Sequence, residues 1–76
     1  MTHKDVIVKI IAENAGVSTK EAKGIFKNFR HDFPGPDSLD RELSPEEAEA
    51  MFNLYRNNPA FVQWISRTMV QHGREY

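Results

Sequence analysis

The chain contains no cysteine, and that single absence removes disulfides, thiolate zinc sites and cysteine nucleophiles together. Long apolar runs are missing too. No stretch approaches the roughly 20 apolar residues needed to cross a bilayer, and no cationic segment leads into an unbroken apolar run at the N-terminus. A soluble, unexported, cytoplasmic protein with no membrane partner is therefore expected. Histidine is sparse: His3, His31 and His72 lie far apart, with no second histidine at i+4 spacing, so no metal site is indicated and all three are expected at the surface. Asp37, Asp40 and Glu42 lack the alternating acids and central glycine of a calcium loop. Ser18, Ser38 and Ser44 have no general base fixed beside them by sequence. These gaps leave no catalytic constellation, so a non-enzymatic protein with no cofactor and no small-molecule substrate is expected.

Seventy-six residues make one domain, residues 1–76, and a chain this short buries only about 60% of its unfolded surface. A partner or a second copy would add to a thin stability margin. The net charge of -1 conceals two unlike halves. Residues 1–31 carry six cations, Lys4, Lys9, Lys20, Lys23, Lys27 and Arg30, against three acids, Asp5, Glu13 and Glu21, for a balance of +3. From Asp32 onward four arginines face eight acids, for a balance of -4. Such polarity steers a polyanion to one face, or lets the two halves attract each other within the fold.

Val6, Ile7, Ile10 and Ile11 recur at helical spacing and predict a first helix over about residues 4–14, ended by Gly16. Ser18 predicts the N-cap of a second helix, with Glu21 three residues on to complete a capping box. Ala22, Ile25, Phe26 and Phe29 give that helix a buried stripe, while Lys20, Lys23, Lys27 and Arg30 give it a basic one. Pro34, Gly35 and Pro36 open a long loop over residues 32–43, tied down by Phe33, Leu39 and Leu43. Ser44, Pro45 and Glu47 form a second capping box for a third helix, with Ala48, Met51, Phe52 and Tyr55 inward. Asn57, Asn58 and Pro59 turn the chain into a fourth helix, whose Phe61, Val62, Trp64, Ile65, Met69 and Val70 cover more than one side and which stops near Gly73. The aromatic residues fall mostly on inner faces, but Phe61 and Trp64 on such a helix are also candidates for a dimer or partner interface.

Two stretches resemble known families. Ile7, Val8, Ile11-Ala12-Glu13, Gly16-Val17-Ser18 and Lys20-Glu21-Ala22-Lys23, followed by Phe26 and Phe29, resemble the N-terminal helical hairpin of the HU/IHF nucleoid proteins over about residues 4–30. The resemblance stops after residue 33, where that family continues into strands. The turn Ala12–Ser18 is also similar to the helix-turn-helix of lac-repressor-type regulators, which implies that Thr19, Lys20, Lys23 and Gly24 face DNA. Asp37-Ser38-Leu39 resembles the Asp-Ser-Leu motif of acyl carrier proteins, which implies Ser38 as a phosphopantetheine attachment site; Pro45 stands seven residues after that serine, where the family has a long helix.

The expected fold is all-α: four helices, the first two a helix-turn-helix-like hairpin and the last two packed across it. The expected function is that of a small regulatory or nucleoid-associated protein that binds DNA through Thr19, Lys20, Lys23, Lys27 and Arg30, as a dimer. The rival expectation is a protein-interaction module or inhibitor that never touches nucleic acid, its surface being the aromatic fourth helix or the acidic third. In that case the basic stripe is a solvated face that can pair with Glu46, Glu47 and Glu49.

Overall fold

A computed structural model describes residues 1–35 and 39–74 of the chain. Among these residues there are four α-helices, α1 His3–Ala15, α2 Thr19–Phe29, α3 Pro45–Arg56 and α4 Pro59–Arg74, with one 3-10 turn at Arg30–Asp32. Among the described residues there is no strand, only an isolated antiparallel bridge between Thr2 and Glu42. The all-α expectation holds.

Local chemistry sets most of the helix ends. Thr2 caps α1 by a capping box: its hydroxyl accepts from the Asp5 amide at 3.2 Å, and the Asp5 carboxylate accepts from the Thr2 amide at 2.9 Å. At the other end Gly16 sits in the left-handed region at φ 66°, and its N–H donates to the Ala12 carbonyl at 2.9 Å. Ser18 caps α2 by accepting from the Glu21 amide at 3.2 Å, but Glu21 does not return the bond, so the expected box is half formed. Ser44 and Glu47 do form the full box on α3, with Pro45 in the first turn. The Asn58 side-chain oxygen accepts from the Ala60 and Phe61 amides and opens α4. Gly73 does not stop that helix, which continues to Arg74. Helical φ and ψ are open to glycine at a modest entropic cost, so a glycine alone does not terminate a helix.

α1 is the central element, covered by α2 on one side and α3 on another. That is why its buried set, Val6, Ile7, Val8, Ile10, Ile11 and Ala12, is wider than a single stripe. α2 contributes Ala22, Ile25, Phe26 and Phe29, and α4 closes the core with Phe61, Trp64 and Ile65. Phe33 lies at the centre of the aromatic packing, 5.2 Å from the Trp64 ring, 5.7 Å from Phe26 and 6.0 Å from Phe61, mostly edge to face. The Trp64 indole N–H donates to the Phe29 carbonyl at 3.2 Å. α4 is thereby tied by a side-chain hydrogen bond to the end of α2.

Residues 39–43 of the loop before α3 are packed, as expected. Leu39 and Leu43 are buried, the Leu39 and Arg41 carbonyls accept from the Lys4 and His3 amides at 3.0 Å each, and the Leu43 amide donates to the Met1 carbonyl at 2.8 Å. The first amides of α1, which no helical carbonyl can reach, are thus taken up by this loop. No described helix is long and apolar enough to cross a membrane.

Candidate nucleic-acid interface

The two faces of α2 divide cleanly. Ala22, Ile25, Phe26 and Phe29 point inward, and Thr19, Lys20, Glu21, Lys23, Gly24, Lys27 and Asn28 are exposed. At 1.5 Å rise per residue, Lys20 and Lys27 stand about 10 Å apart along the helix axis. Arg30 is exposed as well, but it opens the 3-10 turn rather than extending the helical stripe. The expected site residues of α2 therefore share one side of the molecule.

Among the described residues their charge is not spent on ion pairs with acids. Glu47 is held by Arg41 at 2.6 Å and by its own cap, Glu13 takes Arg56 at 2.9 Å, and Glu42 takes the N-terminal ammonium at 2.6 Å. Among the described residues no carboxylate lies within ion-pair distance of Lys20, Lys23 or Lys27. The pairing with Glu46, Glu47 and Glu49 does not form. Asp5 partly offsets the group: its carboxyl is held below the usual carboxylate range, first by the Thr2 amide and also by the charge of Lys23.

Beside the stripe lies a shallow depression of about 260 Å³, lined by Lys4, Lys23, Gly24, Phe26, Lys27 and Arg30. Lys4 belongs to α1 and comes to this site through the packing of the hairpin. Nothing in its sequence neighbourhood marks it, because only the crossing of α1 and α2 brings it to the basic side of α2.

Other expected positions fall elsewhere. Phe61 and Trp64 are 2% and 0% exposed, so the structure corrects their assignment to a partner surface: both are core. The exposed apolar residues of α4 are Val62 and Val70, and α3 exposes Leu54. Ser38, the implied phosphopantetheine position, lies outside the described residues; residues 39–44 are not helical, and the next helix opens at Pro45.

His3 is a second correction. It is buried rather than at the surface, stacked on the Tyr55 ring at 5.6 Å, with Nε2 in a hydrogen bond to the Tyr55 hydroxyl. Burial pushes its imidazole below the usual 6.5, and the Arg41 charge adds to this. The Tyr55 hydroxyl is pushed upward by burial. His31 is exposed and lies 3.5 Å from Asp32. No group of three or more His, Cys, Asp or Glu side chains among the described residues could hold a metal ion.

Comparison with known protein families, with curated proteins and with solved structures finds no match to this chain.

Proposed function

We propose that this chain is a small non-enzymatic DNA-binding protein, regulatory or nucleoid-associated, that holds the phosphate backbone on the exposed side of α2. The observation that carries the reading is a set of three lysines, Lys20, Lys23 and Lys27, that shares one exposed face with no carboxylate of the described residues in ion-pair reach. A solvated face needs polarity, but not three cations against the single acid Glu21. Cations left uncompensated in a chain of net charge -1 create a local positive field that draws a polyanion to that side. The likeness of residues 4–30 to the HU/IHF hairpin, the part of that family that mainly builds the dimer, adds dimerisation to the proposal.

The test is fluorescence anisotropy of a labelled generic duplex, at two salt concentrations, with the wild-type chain and with Lys20→Glu, Lys23→Glu and Lys27→Glu combined. Binding that tightens at low salt and vanishes in the reversed variant is the expected result. Equal behaviour of the two chains, with circular dichroism showing both folded, refutes the proposal.

A second reading rests on a different surface. Val62 and Val70, two helical turns apart on α4, are 46% and 53% exposed, and Leu54 of α3 is 56% exposed. In this reading the chain is a protein-interaction module that docks a partner or a second copy through these side chains.

A further inference from the structure

Gly24 is a glycine that packing does not require. A Cβ built there meets nothing within 4 Å, and its backbone is helical with no positive φ. Glycine inside a helix is less favourable than alanine, so the fold carries a cost with no structural return. Gly24 also lies among the cations: it lines the depression together with Lys4, Lys23, Lys27 and Arg30. Lys20 and Lys27 flank it on the same face at helical spacing. Two helices therefore supply positive walls, and between them Gly24 presents no side chain, so that the Phe26 ring alone lines the floor.

From this we infer that the depression is a seat for a phosphate group, with Lys4 of α1 and Lys23 and Lys27 of α2 closing on its oxygens and Gly24 leaving room for it to settle against the helix. The ligand chemistry is that of a phosphodiester of nucleic acid, and the inference rests on the proposed DNA reading. Flexible ammonium groups suit this task, since each offers three donors on a long stem and adjusts to the position of an oxygen. Phe26, buried beneath, holds the floor in place.

The experiment uses Gly24→Ala and Gly24→Leu in the full chain. Both substitutes are good helix formers, so melting temperature should rise in each, by about 4 °C for a domain of this size. That rise separates loss of binding from loss of fold. The larger side chain of Gly24→Leu fills the seat without changing any charge, and duplex affinity at fixed salt should fall about tenfold, the equivalent of one charge-assisted phosphate contact. In a parallel arm, pyrophosphate is titrated into labelled protein at constant ionic strength. The amide resonances of Lys4, Lys23, Gly24 and Lys27 should move in the wild-type chain, and the corresponding ones should stay still in Gly24→Leu. Equal duplex affinity and equal pyrophosphate shifts in the two chains overturn the seat and leave the DNA reading standing. No duplex binding by the wild-type chain, with pyrophosphate shifts that Gly24→Leu abolishes, overturns the DNA reading and keeps the seat as one for free phosphates. Neither ligand bound by the wild-type chain overturns both.

Discussion

Replacing Lys20, Lys23 and Lys27 by glutamine, singly and together, gives a prediction whose size follows from the geometry of α2. The three side chains spread over about 10 Å of helix axis, and one strand of duplex presents a phosphate about every 3.4 Å. Three lysines on that span can thus neutralise about three phosphates, and Lys4 and Arg30 beside them raise the limit to about five. Each contact contributes about -0.9 to the slope of log affinity against log salt, so the wild-type slope should lie between about -2.7 and -4.5. Between about 50 and 200 mM salt this is a loss of affinity of about 40- to 500-fold. Each single Lys→Gln change should flatten the slope by about 0.9, and the triple change by about 2.7. Glutamine has nearly the helix propensity of lysine, and all three positions are exposed, so the fold is retained. Anisotropy titrations at five or more salt concentrations measure the slope. A triple variant with the wild-type slope would refute the assignment of the contacts to α2, and a wild-type slope near zero would refute phosphate contact altogether.

Trp64→Phe should lower stability by about 2–3 kcal/mol, because it removes the donor to the Phe29 carbonyl and part of a fully buried ring; urea unfolding followed by circular dichroism measures it, and a loss under about 0.5 kcal/mol would contradict the packing described. His3 has its folded-state pKa below 6.5, so the unfolded chain binds the extra proton first. Its contribution to stability is whole above about pH 6.5 and is lost as pH falls toward the folded value. Urea midpoints at about pH 7.5 and 5.5 should differ in the wild-type chain and converge in His3→Gln, and a pH-independent wild-type midpoint would count against the buried neutral imidazole. Val62→Glu with Val70→Glu should leave duplex binding intact if α2 carries it. If the interaction-module reading holds, the pair should instead abolish self-association or partner capture in sedimentation measurements.

The features legible from sequence are those whose cause is local. Gly16, Ser44 with Glu47, and the Asn58-Pro59 turn act through their own backbone amides and carbonyls, and each can be read from a window of a few residues. Thr2 and Asp5 are harder to see, because aspartate stands where a capping box normally carries glutamate or glutamine. The burial of His3, Val8, Phe61 and Trp64 is harder still, since it depends on which helices cross and where. Helical spacing shows that α4 has apolar residues on several sides. It does not show that Phe61, Trp64 and Ile65 face the core while Val62 and Val70 face water. The same limit applies to the candidate site: the lysines of α2 are visible as a stripe, whereas Lys4 joins them only through the hairpin.

The core and the basic face are built from separable parts, and this bears on how any functional test is interpreted. Phe26, Phe29, Phe33, Phe61 and Trp64 hold α2 from its inner side, and the loop carbonyls hold the start of α1. None of these contacts involves the ammonium groups of Lys20, Lys23 or Lys27. Surface substitutions away from buried features usually change stability by less than about 0.5 kcal/mol, so charge variants on α2 should bind differently while melting alike. Gly24 sharpens the point, because there the two quantities are expected to move in opposite directions. A residue kept only for folding would lose both together. A gain in stability accompanied by a loss of binding is the signature of a position whose residue type serves the ligand.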